Sequence, residues 1–485
     1  MSASRPFFAA QLGFAVLGLA ACAPMPDLGP KPLVRTAQSV DAARSLSGTA
    51  SAWPADGWWL AYRDPQLAAL IEEGLARSPD VVAAAARFRR AAGLAQQAGA
   101  PLLPSFDVTG RAGFDKQSYN LGFPKEFVPQ GWLDTGQVAG QFNLELDIWG
   151  RNRAALAAAT SEARAAEIDA QQARLMLTTG IADAYADLSR LYAERETQQR
   201  ALDLRLATQN LVGQREQNGL ETRGSLRQAD ATVSSARASL AAANEAIALR
   251  SNQIAALIGA GPDRALTITP PRLAALVPQA LPQDVTTDLV ARRPDIASAL
   301  ARTEAEASRI KVARADFFPA IRLSGLVGYQ ALGLENLIEK DSIYGSVGPA
   351  ISLPIFHGGA ISGQYRAQRG AYDEAVADYD RSVLGAYREV ADAVASRNIL
   401  TERLDSARKA LAASEEAYSI ARQRYEGGLS TFLDVLDVED RLLSARQAVA
   451  DLDARAFALD VALIRALGGG FTPAGISTPK DRTHG

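Results

Sequence analysis

The sequence predicts an internally duplicated, mixed α/β fold in which short strand pairs alternate with very long helices. Three observations predict it. First, blocks of residues recur at a nearly constant offset. Ala76-Arg77-Ser78-Pro79-Asp80 has a partner in Ala291-Arg292-Arg293-Pro294-Asp295, and Leu103-Pro104 has one in Phe318-Pro319, each 215 residues later. Asn218-Gly219-Leu220-Glu221-Thr222 has one in Gly427-Gly428-Leu429-Ser430-Thr431, and Ile258-Gly259 in Leu467-Gly468, each 209 residues later. A unit of roughly 210 residues is far above the 20–50 residue period of solenoids, so it implies two copies of one large supersecondary unit. Second, each copy switches from a helical hydrophobic period to a period of two and back. Third, each copy then enters a helical stretch of about 60 residues, several times the average helix.

Composition narrows the class. The chain has 485 residues, 48% of them hydrophobic but only 7% aromatic, and Ala and Leu fill the difference, as in long closely packed helices. A net charge of −3 gives no basic field for nucleic acid. A charged fraction of 22% argues against wholesale disorder.

The N-terminus reads as an export signal over residues 1–21, with Arg5, an apolar run from Phe7 to Leu19, and small residues leading to the sole cysteine. The run is too short for a permanent membrane helix, which needs about 20 residues. Leu19-Ala20-Ala21-Cys22 matches a bacterial lipobox, in which Cys22 becomes the lipidated first residue. An ordinary cleavable signal beside an incidental cysteine is the alternative. Ala23, not aspartate, follows, so the usual inner-membrane retention cue is missing. Several acyl chains would anchor the chain stably to a membrane. Residues 22–57, rich in Pro, Gly, Ala and Ser, then read as an extended leader.

The first repeat spans 58–262, a linker 263–283, the second repeat 284–470, and a flexible tail 471–485. From Asp64 to about Ala98 the pattern is helical, with Leu67, Leu70, Ile71 and Leu75 on one face, and Pro101 and Pro104 end the helix. Then Phe106, Val108, Gly110, Ala112 and Phe114 alternate with polar partners. A loop from about Ser118 to Thr135 follows, and Val138, Gly140, Phe142, Leu144, Leu146 and Ile148 alternate next, giving a hairpin over about 105–148. The second copy repeats this with Ile321 to Tyr329 and Val347 to Ile355, a hairpin over about 320–356 with a shorter loop. Strands of about ten alternating residues suit a transmembrane barrel. After each hairpin comes a long proline-free helical stretch, with Ile181, Tyr185, Leu188 and Tyr192 or Val383, Tyr387, Val390 and Val394 in coiled-coil rhythm. A return helix then runs to Gly259 or Gly468.

Four strands cannot close a barrel, since about eight is the practical minimum. An open edge is forbidden in lipid. Membrane insertion therefore requires several chains to share one barrel, and three would supply twelve strands.

At this point the chain resembles the TolC-like outer membrane efflux protein family, and within it the NodT-type lipoproteins of RND drug efflux systems. The resemblance covers nearly the whole mature chain. It is carried by Trp58-Trp59, Asp64-Pro65-Gln66-Leu67, Arg292-Arg293-Pro294-Asp295-Ile296, Phe318-Pro319, Tyr425-Glu426-Gly427-Gly428, Asp434-Val435-Leu436-Asp437 and the lipobox. It implies a homotrimer with a twelve-stranded barrel in the outer membrane, four strands per chain, and a long α-helical barrel in the periplasm. It also implies a periplasmic adaptor and an inner-membrane RND-type transporter as partners, docked at the helical tip. The function expected is the exit channel of a tripartite pump, passively conducting drugs or other small toxic molecules. The channel of a type I protein secretion system and a coiled-coil scaffold lipoprotein are the alternatives, although a scaffold has no need of ten-residue alternating strands.

The resemblance assigns Asp434 and Asp437 to a periplasmic gate. Spaced i, i+3, they share a helix face, and three copies would set six carboxylates around a constriction as a cation filter. Thr431 as N-cap with Asp434 at N3 is the simpler role, and both can hold. Arg223 and Tyr425 are possible gate-lock partners. A solvated arginine and a packing tyrosine are their plainer readings. Phe123, Phe127 and Trp132 read either as interfacial aromatics or as a plug of the outer mouth. His357, beside Gly358-Gly359 where the chain swings into the second long helix, reads as structural.

No enzyme, metal or cofactor is expected. The sequence has one cysteine and two histidines, no phosphate loop, and no convincing Ser-His-Asp set. Three methionines make a Met-lined metal pathway improbable. Energy for transport must come from a partner.

Overall fold

A computed structural model describes residues 25–42, 44–46, 51–120, 122–272, 281–282 and 284–472. The signal segment, Cys22 and residues 473–485 lie outside them. The chain divides into two compact units. A strand unit comprises Met1–Val34, Phe88–Ala166 and Ala299–Tyr379, and a helical unit comprises Arg35–Arg87, Glu167–Ser298 and Asp380–Gly485.

The first copy contributes α1 (Pro65–Arg77), α2 (Pro79–Gly99), β1 (Ser105–Asp115), β2 (Leu133–Leu146), α3 (Arg151–Gln217) and α4 (Arg223–Leu257). The second contributes α5 (Val285–Arg292), α6 (Pro294–Ala315), β3 (Ala320–Leu332), β4 (Ile343–Ser352), α7 (Ala360–Glu426) and α8 (Phe432–Ala466). The copies match in length as well as order: α3 and α7 have 67 residues each, and α4 and α8 have 35 each. At 1.5 Å per residue a 67-residue helix measures about 100 Å along its axis.

Two details differ from the sequence reading. The helix expected from Asp64 to Ala98 is broken at Ser78, which takes an extended ψ of 126° before Pro79. Arg293 does the same before Pro294, with ψ 125°. Proline's ring excludes the α region from the residue before it, so each break is local chemistry repeated in both copies. The strand ends also move. β2 begins at Leu133, because β1 continues to Asp115 and pairs with it there. β4 ends at Ser352 rather than near Ile355, before Pro354, which has no N–H to donate.

In the strand unit the four strands form one antiparallel sheet in the order β1-β2-β3-β4. The register sorts its side chains. Phe106 faces Phe142, which faces Gly325, which faces Val347, and Val108, Gly140, Val327 and Gly345 form the next row. Opposed residues in an antiparallel pair share a face. One face therefore carries Phe106, Val108, Phe114, Val138, Phe142, Leu144, Ile321, Leu323, Val327, Tyr329, Ile343, Val347 and Ile351, with Asp134 its only charged residue, at the end of β2. The other carries Asp107, Thr109, Arg111, Gln137, Gln141, Asn143, Glu145, Arg322, Ser324, Gln330 and Ser346. Much of the apolar face is uncovered among the described residues: Val347 is 82% exposed and Phe114 is 71% exposed. Among the described residues no helix is long and apolar enough to cross a membrane.

The helical unit holds the main core. Trp58, Trp59 and Tyr62 pack with Leu67, Leu70, Ile71, Ile181, Tyr185, Leu188, Ile254, Ile258, Phe457 and Val461. The Asp64-Pro65-Gln66-Leu67 motif pins this core. Gln66 N (2.9 Å) and Leu67 N (3.2 Å) donate to Asp64 Oδ1, so Asp64 caps α1. Tyr185 Oη (2.7 Å) and Arg272 N (2.9 Å) donate to its other oxygen. Burial pushes the Asp64 carboxyl up, but these bonds, led by Arg272 N, outweigh it and hold the group below its ordinary range. Gln66 closes the loop by donating to Tyr185 Oη (2.8 Å) and accepting from Thr269 N (2.8 Å).

One contact recurs in both copies. Gly259 (φ 74°) follows α4 and lies against the carbonyl of Arg77, and Gly468 (φ 87°) follows α8 and lies against that of Arg292. A Cβ on Gly468 would stand 2.0 Å from Arg292 O. Only glycine meets both the left-handed backbone and the close approach. We expect Gly468→Ala to cost more than the roughly 1–2 kcal/mol of the left-handed conformation alone. The measurement is the thermal unfolding midpoint of the detergent-solubilised protein. An unchanged temperature would rule out the steric role.

Candidate functional site at the turns of the long hairpins

Each long hairpin closes through a short turn in which the chain folds back on the last turn of the incoming helix. Leu220 N donates to Arg215 O (2.8 Å) in the first hairpin, and Leu429 N donates to Arg424 O (2.8 Å) in the second. A threonine then caps each outgoing helix. Thr222 Oγ1 accepts from Ser225 N (3.1 Å), and Thr431 Oγ1 accepts from Asp434 N (3.3 Å).

Asp434 returns the bond. Thr431 N (2.8 Å) and Thr431 Oγ1 (2.9 Å) both donate to Asp434 Oδ2, completing a capping box. Those two bonds, with help from Arg424, hold the Asp434 carboxyl below its ordinary range although it is fully exposed. Asp437 lies one turn further on, exposed, and pairs with Arg441 at 2.8 Å. The i, i+4 spacing of Asp437 and Arg441 was legible in the sequence.

Tyr425, 1% exposed, connects the two hairpins. Its hydroxyl donates to Glu221 Oε2 (3.2 Å) in the first turn. The Arg215 guanidinium lies 4.9 Å from the Tyr425 ring centroid and donates to its carbonyl at 3.3 Å. Burial, then the Glu221 charge, push the Tyr425 hydroxyl up to about 12. For Glu221, slight burial is outweighed by bonds from Ser225 Oγ, Thr222 N and Tyr425, so its carboxyl lies below the ordinary range. Arg223 opens α4, is exposed, and has no hydrogen bond or ion pair among the described residues. Sequence reasoning singled out Tyr425 but missed its partners, Glu221 and Arg215.

It also missed a second crossing between the hairpins. Glu439 is wholly buried. Arg205 Nε donates to Glu439 Oε1 (2.9 Å), while Nη2 donates to Asp440 Oδ1 (2.9 Å) and Nη1 to Thr232 O (3.4 Å). Glu439 Oε2 has no hydrogen-bond partner among the described residues. Burial raises the Glu439 carboxyl above its ordinary range, with Arg205 opposing the shift. A signal was present: Phe432, Val435, Glu439 and Leu442 are the buried positions of this part of α8, so the carboxylate occupies a place in an apolar stripe.

Both turns leave a leucine in the open, Leu220 at 66% and Leu429 at 73% exposed. Beside Leu429 a groove of about 480 Å³ runs between α7 and α8, lined by Ile420, Arg424, Leu429, Asp434 and Val438. Among the described residues there is no cluster of His, Cys, Asp and Glu that could hold a metal.

The chain as a whole is similar to known proteins. A family model described as outer membrane efflux protein matches residues 70–260 and 285–469, one stretch in each copy. The solved outer membrane protein VceC of Vibrio cholerae is 44% identical, with a TM-score of 0.81 over 86% of this chain and 100% of that one. The fusaric acid resistance protein FusA of Burkholderia cepacia is 33% identical over 371 residues, 75% of this chain and 69% of that protein. The pyoverdine export outer membrane protein OpmQ of Pseudomonas putida is 30% identical over 435 residues, 87% of this chain and 90% of that protein.

The crossing at Glu439 yields a test. Arg205→Ala strands a buried carboxylate and is expected to cost about 3 kcal/mol. Pairing Arg205→Met with Glu439→Leu should recover most of that loss. Denaturation of the solubilised protein measures both, and equal losses in the two variants would show that the carboxylate is not held by Arg205.

Proposed function

The chain belongs to the outer membrane efflux protein family, and from that premise we propose that it is the exit duct of a tripartite efflux pump, working as a trimer. The observation that carries this reading is the sheet. It has one apolar face, one polar face, and two edge strands, β1 and β4, each paired on one side only. In lipid those edges must be satisfied. If β4 of one copy pairs with β1 of the next, three copies close a twelve-stranded barrel with the polar face inward. Solutes would move down their gradient along that face. The cargo we infer is small molecules, in keeping with relatives named for fusaric acid resistance and pyoverdine export.

Anchoring and partners complete the proposal. Cys22 would carry the lipid that fixes the leader to the outer membrane. The exposed Leu220 and Leu429 would meet a periplasmic adaptor, which in turn engages an inner-membrane RND-type transporter that supplies the energy. In the trimer Asp434 and Asp437 would ring the entrance at the turns. Asp434 would serve both as helix cap and as part of the carboxylate ring, and Tyr425, through Glu221 and Arg215, would hold the two hairpins of each copy together in the closed state.

Two experiments test this reading. A deletion strain should accumulate more dye and antibiotic than wild type, and the wild-type gene should restore efflux. The complementing protein should run as a heat-modifiable trimer from outer membrane fractions. A monomer extracted without detergent would sink the proposal. For the entrance, Asp437→Ala, which leaves the capping box intact, should lower cation selectivity in a planar bilayer. Asp434→Ala should do the same and also weaken the capping of α8 by removing one half of the capping box. Unchanged selectivity in both variants would remove the aspartates from the gate.

A further inference from the structure

The strand unit contains a basic groove that the duct reading does not use. Contacts between neighbouring helices give their order. Gly99 of α2 lies against Leu156 of α3. Arg309 of α6 pairs with Glu162 of α3 at 3.3 Å. Thr303 of α6 donates to Ala375 O of α7 at 3.3 Å, and Phe317 meets Tyr365 edge-on at 5.8 Å. The order is therefore α2-α3-α6-α7, and the seam between α3 and α6 is central, away from both outer helices.

The two sides of that seam differ. On one side Arg151 forms ion pairs with Asp316 (2.9 Å) and Glu145 (3.8 Å), and Glu145 also pairs with Arg322 (3.5 Å) on the polar face of the sheet. At 100° per residue, Arg153 and Ala157 project from the opposite side of α3, and Ser308, Lys311 and Arg314 from the opposite side of α6. That second side lies across the two helices from the Glu145–Arg322 pair of the sheet's polar face. It holds a cavity of about 500 Å³ lined by Trp149, Arg153, Ser308, Lys311, Arg314 and Phe318, and no carboxylate lines it. Trp149 stacks on Phe318, with centroids 4.6 Å apart and planes 20° apart, and donates its indole N–H to Pro319 O at 2.8 Å. Arg153 is held by Asp147 Oδ2 (3.1 Å) and Asp147 O (2.9 Å). Lys311 and Arg314 are exposed, and neither side chain has a hydrogen bond or ion pair among the described residues.

We propose that this groove binds the phosphate of an anionic glycerophospholipid in the periplasmic leaflet, an inference that rests on the membrane-spanning reading of the sheet. Stacked aromatics anchored by an indole hydrogen bond mark the depth of the membrane interface. Two unneutralised cations one turn apart at that depth attract an anionic headgroup, and the arginine offers a planar fork to phosphate oxygens. The exposed apolar face of the sheet gives the acyl chains a path. Three copies of the chain would hold three such lipids around the barrel, each fixing the depth at which strand gives way to helix.

The test is native mass spectrometry of the full-length protein released from nanodiscs containing equal phosphatidylglycerol and phosphatidylcholine. Wild type is expected to retain phosphatidylglycerol in preference. Lys311→Gln with Arg314→Gln should weaken that retention roughly thirtyfold, at about one kcal/mol per basic residue, while heat-modifiable insertion is unchanged. Added inorganic phosphate should not displace the lipid. Equal retention of both lipids by wild type, undiminished retention by the variant, or displacement by free phosphate each overturns the lipid site. Wild type that fails to insert at all sinks the duct reading instead, and if the double variant does not fold, the wild-type lipid preference decides.

Discussion

The architecture depends on one constraint: in a bilayer every backbone N–H and C=O needs a protein partner. Within the chain β2 and β3 meet it on both sides, and β1 and β4 on one. Each unpaired group costs several kcal/mol in hydrocarbon. A row of them along two strands of 11 and 10 residues would exceed the roughly 5–15 kcal/mol by which a domain is normally stable. The sheet therefore makes no sense as a finished object in a single chain. Its apolar face points the same way, since Phe106, Val108, Phe114 and Val347 are left exposed among the described residues. Assembly and membrane insertion answer both needs at once.

The duplication decides how the rest is held. Both copies end their return helix on a glycine packed against the carbonyl that precedes a Pro-induced break, Gly259 on Arg77 and Gly468 on Arg292. Two 35-residue helices are thereby seated by the same contact. The copies part at the residue beside it. The first has Ser78, and the second has buried Arg293, which donates to Glu389 (2.8 Å) and Ala466 O (3.0 Å) and pairs with Asp295. A buried guanidinium needs such partners, so the Arg-Arg-Pro-Asp block of the second copy brings its own charge network with it.

Much of this was legible in the sequence because it is local. Period-two alternation marked four strands and even their faces, since the register keeps Phe106, Phe142, Gly325 and Val347 in one row. The helix breaks at Ser78 and Arg293 follow from a proline rule that the longer helical periodicity had masked. What sequence could not place is long-range. Tyr425 and Arg215 are 210 positions apart, and Glu439 and Arg205 are 234 apart. No spacing rule spans such distances. Glu439 announced only that something was wrong with an apolar stripe, not which cation answers it.

Those long-range contacts bear on where the proposed duct can move. The core around Leu67, Leu70, Ile71, Tyr185 and Ile254 is apolar, and each such side chain contributes about 1.5–3 kcal/mol by leaving water. Near the turns the crossings include polar ones: Tyr425 to Glu221, Arg215 to Tyr425, Arg205 to Glu439 and Asp440. Hydrogen bonds of this kind contribute only about 1 kcal/mol net each, because water replaces them when they part. The buried Glu439 sharpens the point. Separating it from Arg205 inside a dry interface costs several kcal/mol, but separation that admits water returns the hydration both charges gave up. Rearrangement that opens the turns to solvent is therefore cheap, and rearrangement in the apolar core is not, which confines the proposed gate to the end of the hairpins where Asp434 and Asp437 lie.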